Sequence, residues 1–98
     1  MVANLKIKRS YLFFPDKEKE GDGYKPDAKL RLRVRWSGHK VDFNVGYRVK
    51  LSQWDTQTQR CRVKTTNLQK QSATLINGAI QAFETAIDNV FTAFELEG

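Results

Sequence analysis

Two stretches in the middle of the chain alternate strictly between apolar and polar residues. Residues 30–36 have Leu, Leu, Val and Trp at even numbers and arginine between them, and residues 41–49 have Val, Phe, Val, Tyr and Val at odd numbers. A period of two is typical of a strand with one buried face, and β-branched and aromatic residues favour strands. The segment Ser37-Gly38-His39 separates the two stretches. The pattern therefore predicts a β-hairpin.

A shorter alternation near the beginning predicts a third strand. Leu5 and Ile7 are flanked by polar residues, and we expect this strand to extend to Phe13. Residues 15–27 contain two prolines, two glycines and charges of both signs, which is typical of a solvated loop. Residues 60–63 predict a short additional strand.

The last third of the chain has the period of a helix. Apolar residues recur at spacings of four and three: Ile76, Ile80, Phe83, Ile87, Val90 and Phe94. This pattern predicts an amphipathic helix of about 20–25 residues within residues 67–96. Ser72 or Asn67 could cap its start. Gly78 inside the helix indicates either close packing against the sheet or an earlier break in the helix.

The predicted elements combine into an α+β fold, a three-stranded antiparallel sheet packed on one face by a C-terminal helix. Each apolar face would be buried by the other element. The length of 98 residues is typical of a single domain spanning 1–98. Within it we expect the sheet and loops over about residues 2–66 and the helix over about 67–96.

Charge is distributed unevenly along the chain. The sequence has 17 Lys and Arg against 11 Asp and Glu, a formal net charge of +6 at pH 7. Residues 28–50 contain seven of these cations and one acid, Asp42, whereas residues 67–98 contain one cation and four acids. A strongly basic segment beside an acidic one indicates a surface for a polyanionic partner and a supporting part.

Several classes of function are disfavoured by the composition. The single cysteine, Cys61, cannot form an internal disulfide, and His39 has no potential metal ligands at suitable spacing. We therefore expect no metal and no cofactor. Apolar runs fall far short of the roughly 18 residues of a membrane span, and the first residues lack the apolar core of a signal peptide. These features predict a cytoplasmic protein without a membrane partner.

The uncovered face of the predicted sheet would collect most of the basic residues. The candidate DNA-binding residues are Lys6, Lys8, Arg31, Arg33, Arg35, His39, Lys40, Asn44, Arg48 and Lys50. His39 is included because a residue at the hairpin tip can reach a phosphate. Alternate residues of a strand are about 6.6 Å apart, close to the separation of successive phosphates, and a β-ribbon fits the major groove, which is about 12 Å wide. The pattern favours double-stranded DNA binding over a face that only keeps the sheet soluble, for which mixed Lys and Glu are expected.

A further motif follows the second strand of the hairpin. Gly46-Tyr47-Arg48-Val49 is followed by four residues and then by Trp54-Asp55. This run is similar to the Gly-x-x-Val-x-x-x-x-Trp-Asp signature of the N-terminal arm-type DNA-binding domain of tyrosine recombinases, the integrases of phages and conjugative transposons. The order of the elements over roughly residues 2–95 also resembles that domain.

The resemblance implies a function and a larger context. It implies a sheet inserted into the major groove of arm-type DNA sites, with the helix packed behind it, as a fragment of a longer integrase of a mobile element. The catalytic part of this family carries a His-x-x-Arg motif, but the residue three positions after His39 is Asp42. We therefore expect that this chain is not itself an enzyme.

Two alternatives remain open from the sequence. An RNA- or single-strand-binding module would need aromatic side chains on the free face. Trp36, Phe43 and Tyr47 occupy core positions instead, but a one-residue shift of the first strand would exchange its faces. A protein-interaction module could use the acidic helix surface to dock neighbouring recombinase subunits. Its acids are Glu84, Asp88, Glu95 and Glu97.

Overall fold

Three long strands and one long helix form the fold in the computed structural model, which describes residues 7–97 and, for Glu97, the backbone only. The elements are β1 (Arg9–Asp16), β2 (Lys19–Glu20), β3 (Gly23–Tyr24), β4 (Asp27–Trp36), β5 (His39–Lys50), a 3-10 turn (Leu51–Gln53), β6 (Trp54–Asp55), β7 (Arg60–Cys61) and α1 (Ala73–Glu97). The predicted α+β class is confirmed.

The main sheet has the order β1-β4-β5, with both neighbours antiparallel to the central strand β4. The β4-β5 hairpin turns through two residues, Ser37 with φ 45° and Gly38 with φ 78°. Positive φ at both central residues is the geometry of a type I′ turn, whose twist matches that of the flanking strands. His39 is therefore the first residue of β5, directly opposite Trp36, and not part of the connection.

The pairing of β4 with β5 contains a bulge. Lys29 pairs with Arg48, but Arg31 pairs with Asn44, so β5 has two more residues than β4 over this interval. Gly46 adopts a φ of +94°, and its N–H donates to the Asn44 side-chain oxygen at 2.9 Å. Because directly opposite residues share a face, the bulge leaves Asn44 and Arg48 on the same side of the sheet as Arg31.

Helix α1 covers the other side of the sheet. Its buried side chains are Ala73, Ile76, Ile80 and Phe91, with Phe83 and Ile87 partly buried against them. The predicted stripe is wrong beyond Ile87, because Phe91 is buried whereas Val90 and Phe94 are 51% and 60% exposed. Phe91 lies edge-on to Trp36, with ring centroids 5.6 Å apart. This contact at the end of β4 buries Phe91 instead of Val90 or Phe94.

The start of the helix is capped by Ser72. Its hydroxyl oxygen accepts the N–H of Leu75 at 3.2 Å, an N-cap interaction. Asn67 is buried in the preceding turn, where its side chain donates to the Arg48 carbonyl and accepts the N–H of Gln71. The helix continues unbroken through Gly78, and a Cβ at that position would meet nothing within 4 Å, so neither explanation for this glycine applies.

The first strand and the following segment differ from the prediction. The strand starts at Arg9 and continues through Pro15 to Asp16. Pro15 is tolerated because β1 is an edge strand. The segment predicted as a loop contains the small β2-β3 hairpin, and Asp27 already belongs to β4. The short strand predicted near residue 60 is confirmed as β7, which pairs with β6. Leu5, expected in the first strand, lies outside the described residues.

Candidate nucleic-acid interface

The side of the sheet turned away from α1 is called the free face here. Successive rows across the three strands are Ser10–Arg35–Lys40, Leu12–Arg33–Asp42, Phe14–Arg31–Asn44 and Asp16–Lys29–Arg48, followed by the pair Asp27–Lys50. Lys8 is exposed and lies between Ile7, which packs against the core, and Arg9, which contacts the helix. Because side chains alternate along an extended chain, Lys8 extends the free face beyond β1.

The strand register places seven of the predicted DNA-binding residues on the free face: Arg31, Arg33, Arg35, Lys40, Asn44, Arg48 and Lys50. Alternation adds Lys8, just before β1, as the eighth. His39 does not join them, because it is paired with Trp36 on the helix side, with ring centroids 5.5 Å apart. Lys6 lies outside the described residues. Asn44 is on the face, but its side-chain oxygen already accepts the Gly46 N–H, so one of its acceptor sites serves the bulge.

Two arginines in the middle of the free face are held by carboxylates. Arg33 donates from Nε to Asp42 Oδ1 at 2.8 Å and from Nη2 to Asp42 Oδ2 at 3.0 Å. The hydrogen bonds between the two side chains lower the pKa of Asp42 and raise the pKa of Arg33. Arg31 donates from Nε to Asp16 Oδ2 at 2.8 Å. These pairs fix the orientation of both guanidinium groups and reduce the net charge of this part of the face.

Arg48 belongs to a third cluster, at the end of the sheet near the β2-β3 hairpin. It donates from Nε and Nη2 to the buried Asp27 at 2.9 and 3.1 Å, and from Nη1 to Glu18 at 3.3 Å. Glu18 also accepts from Lys25 Nζ at 3.2 Å. The hydrogen bonds from Arg48 are the main cause of a lowered pKa at Asp27. Arg48 therefore connects β5 with β4 and the segment before β2, a structural role that its sequence position did not indicate.

Five cations on or beside the free face form no ion pair within residues 7–97: Lys8, Lys29, Arg35, Lys40 and Lys50. They lie toward the two ends of the face, whereas Arg31 and Arg33 occupy its middle. The third carboxylate-held arginine, Arg48, lies at one end beside Lys29 and Lys50. Arg35 and Lys40 are directly opposite each other in neighbouring strands. Like charges in this position are destabilising, and an anion bound between them would reduce their repulsion.

Two apolar residues on the free face were not among the sequence candidates. Leu12 is 41% exposed, and the ring of Phe14 lies 4.9 Å from the guanidinium carbon of Arg33. Residues 11–14 read Tyr-Leu-Phe-Phe, so alternation alone does not decide which pair faces the helix. The register with β4 decides it, because Tyr11 and Phe13 lie opposite the buried Val34 and Leu32.

Arg9 lies on the helix side and not on the free face. Its side chain is 8% exposed, and it donates to Asp88 Oδ1 at 2.7 Å, to Glu95 Oε2 at 2.9 Å and to the Tyr11 hydroxyl at 3.0 Å. Its guanidinium group also lies 5.0 Å from the Phe91 ring. Burial and the hydrogen bond to Asp88 raise the pKa of Tyr11. These contacts attach the beginning of β1 to the last turns of α1.

The acidic helix residues are largely engaged within the chain. Asp88 and Glu95 contact Arg9, and Glu84 lies 3.6 Å from Arg60. The side chain of Glu97 is outside the described residues. The acidic character of the helix thus serves internal contacts, which was not evident from the sequence alone.

Other site chemistry is limited in the described part of the chain. No group of three or more potential metal ligands occurs within residues 7–97. The Cys61 thiol is buried, and burial raises its pKa. No helix in the same range is long and apolar enough to cross a membrane.

Comparisons of the chain with models of known protein families, with curated proteins and with solved structures find no match.

Proposed function

We propose that the free face binds double-stranded DNA in the major groove, as the arm-type DNA-binding domain of a tyrosine recombinase. The observation that carries the proposal is the set of cations that form no ion pair within residues 7–97, on the sheet face turned away from α1, above all Arg35 and Lys40. An anionic ligand would relieve the repulsion between these two residues. A DNA partner also agrees with the cytoplasmic location expected from the sequence.

The dimensions of the sheet support binding to a duplex. Neighbouring strands are about 4.8 Å apart, so three strands span about 10 Å, and the major groove is about 12 Å wide. The long strands β4 and β5 have 10 and 12 residues. Cations toward both ends of the face can contact the phosphates that border the groove, while the middle of the face approaches the bases.

The aromatic residues favour a duplex over a single strand. Binding of single strands uses exposed aromatic rings on which bases stack. On the free face, Phe14 has the guanidinium group of Arg33 next to its ring. Trp36 lies on the opposite side of the sheet, against Phe91 and His39. The described free face therefore presents charged groups and hydrogen-bond donors more than exposed aromatic rings on which bases could stack.

The proposal assigns only DNA binding to this chain. Strand cleavage would belong to another part of a longer recombinase, because the sequence lacks the His-x-x-Arg motif of the family's catalytic part. In this arrangement the sheet determines where the recombinase sits on DNA.

The proposal is tested by measuring affinity for a duplex at several salt concentrations. If the five cations without ion pairs contact phosphates, the slope of log K against log salt is about −4.5, at about −0.9 per phosphate. The double substitution of Arg35→Ala and Lys40→Ala should reduce the slope to about −3 and weaken binding to all duplexes. Arg62→Ala removes one cation outside the three long strands and is the matched control for each single charge.

Two results would contradict the proposal. One is an affinity that does not change with salt. The other is equal weakening by Arg62→Ala and by Arg35→Ala, because the charge of the whole chain, and not the free face, would then control binding. Circular dichroism of each variant establishes that the fold is retained.

A further inference from the structure

The middle of the free face differs chemically from its ends. Leu12 is 41% exposed there, beside Arg33 and one row from Phe14. The ends carry cations that form no ion pair within residues 7–97, with the paired Arg48 at one end, whereas both arginines here are paired and apolar surface is exposed. Contacts with phosphates need neither apolar surface nor a fixed guanidinium orientation, so the middle of the face is suited to a different part of the duplex.

Arg33 is oriented from two sides. Asp42 accepts hydrogen bonds from its Nε and Nη2, and the Phe14 ring lies 4.9 Å from its Cζ. A guanidinium group has five N–H donors, so both N–H groups of Nη1 and one of Nη2 remain available. These two nitrogens form the outer edge of the fork, which can donate to O6 and N7 of guanine while the contact with Asp42 is kept.

Leu12 is directly opposite Arg33 in the neighbouring strand. Directly opposite residues of an antiparallel pair have Cα atoms about 4.5–5.5 Å apart, and neighbouring base pairs are about 3.4 Å apart along the helix axis. The two side chains can therefore contact adjacent base pairs. The 5-methyl group of thymine is the apolar feature that the major groove presents to a side chain such as leucine.

We infer that Leu12 and Arg33 form a base-reading centre that selects duplexes containing a thymine next to a guanine. Leu12 contacts the thymine methyl group, Arg33 donates to guanine O6 and N7, and Asp42 and Phe14 are positioning residues for Arg33. This inference rests on the proposed function, since it requires that the free face enters the major groove. It adds sequence selection to a face otherwise suited to phosphate contacts.

The test begins with selection of bound duplexes from a random-sequence library by the whole chain. The enriched site should contain thymine beside guanine. Replacement of that thymine by uracil removes only the methyl group and should weaken binding of the wild-type chain about three- to fivefold. Replacement of the guanine by 7-deazaguanine removes the N7 acceptor and should weaken binding about tenfold.

The variants assign these effects to residues. Leu12→Ala should bind thymine and uracil duplexes equally, whereas Leu75→Ala, the same substitution at an exposed helix position, should retain the wild-type preference. Arg33→Ala should lose the sensitivity to 7-deazaguanine, because it removes the N–H donors that contact guanine N7. The uracil measurement on the wild-type chain keeps the inference testable even if a variant does not fold.

The possible outcomes separate the two proposals. Equal wild-type affinity for thymine and uracil duplexes, or an unchanged preference in Leu12→Ala, would overturn the base-reading centre. Salt-dependent binding without enrichment of any sequence would also overturn it, and would leave the DNA-binding proposal standing. Failure to bind any duplex at low salt would overturn the DNA-binding proposal itself.

Discussion

At the scale of single residues, the arginines have two kinds of surroundings. Arg9 is enclosed between β1 and α1 and contacts two carboxylates, whereas Arg35 is exposed on the free face without an ion pair among residues 7–97. Both are basic residues of predicted strands, and the register of β1 with β4 places them on opposite faces of the sheet. Odd-numbered residues of β1 face the helix, but odd-numbered residues of β4 face away from it.

This difference predicts opposite effects of the same substitution. Arg9→Ala removes the ion pairs with Glu95 and Asp88, while the Ile7 N–H still donates to Glu95 at 2.7 Å. We expect the free energy of unfolding of this variant to fall by about 2 kcal/mol, because it loses several hydrogen bonds between a largely buried guanidinium group and carboxylates. Arg35→Ala should leave stability unchanged or raise it slightly, since it removes repulsion with Lys40. Urea denaturation measures both variants, and equal destabilisation would contradict the assignment of the two faces.

At the scale of elements, the sequence predicts which segments form strands and helix better than it predicts their faces. Alternation identifies β4 and β5 clearly, because a polar residue or a glycine stands between each apolar residue and the next. The helix pattern is ambiguous after Ile87, where Val90 and Phe91 are both apolar and lie three and four residues further on. Only the contact of Phe91 with Trp36 resolves this choice, and that contact depends on tertiary structure.

The helix face is tested by a matched pair of phenylalanines. Phe91→Ala removes a buried ring and should lower the free energy of unfolding by about 3 kcal/mol. Phe94→Ala, one turn away and 60% exposed, should cost less than about 1 kcal/mol. Thermal or urea unfolding of the two variants measures the difference. A larger loss from Phe94→Ala would mean that the stripe predicted from the sequence is the buried one.

On the free face too, the sequence predicts the position of some residues and not of others. Its cations on β4 and β5 follow from alternation alone, and eight of the ten candidate residues lie together on it. Leu12 and Phe14 do not follow from alternation, because the first strand has four apolar residues in succession. His39 depends on the turn type, since a two-residue turn assigns it to the helix side.

At the scale of the whole molecule, the two sides of the sheet differ in the residues they carry. The helix side contains the core and the Arg9 cluster, and the free face contains five cations without ion pairs in the described range. Carboxylates on the free face reduce the repulsion among its arginines. The stability of the domain should therefore depend on the charge of these carboxylates.

The pH dependence of stability has a predicted direction. Asp27 and Asp42 have pKa values below their ordinary 3.8, mainly through hydrogen bonds from Arg48 and Arg33. A lowered carboxyl pKa stabilises the folded state while the group is charged. This contribution is complete above about pH 5 and is lost as the pH falls below about 4, through the folded-state pKa.

Urea unfolding between pH 7 and pH 3 measures this dependence. Asp27→Asn should reduce stability at pH 7 and flatten the loss at acidic pH. The control Asp22→Asn removes an exposed acid that forms no ion pair within the described range. It should reproduce the wild-type profile, and a flattened profile for this control instead of for Asp27→Asn would contradict the account.

The central claim, that the free face binds duplex DNA, is tested most directly by an NMR titration of the isotope-labelled chain with a short duplex at low and moderate salt. We predict that amide shifts concentrate in β4, β5 and the beginning of β1, around Leu12, Arg33, Arg35 and Lys40, and that they diminish as salt increases. Helix α1 should remain largely unshifted. Shifts confined to α1, or no shifts at low salt, would contradict the claim.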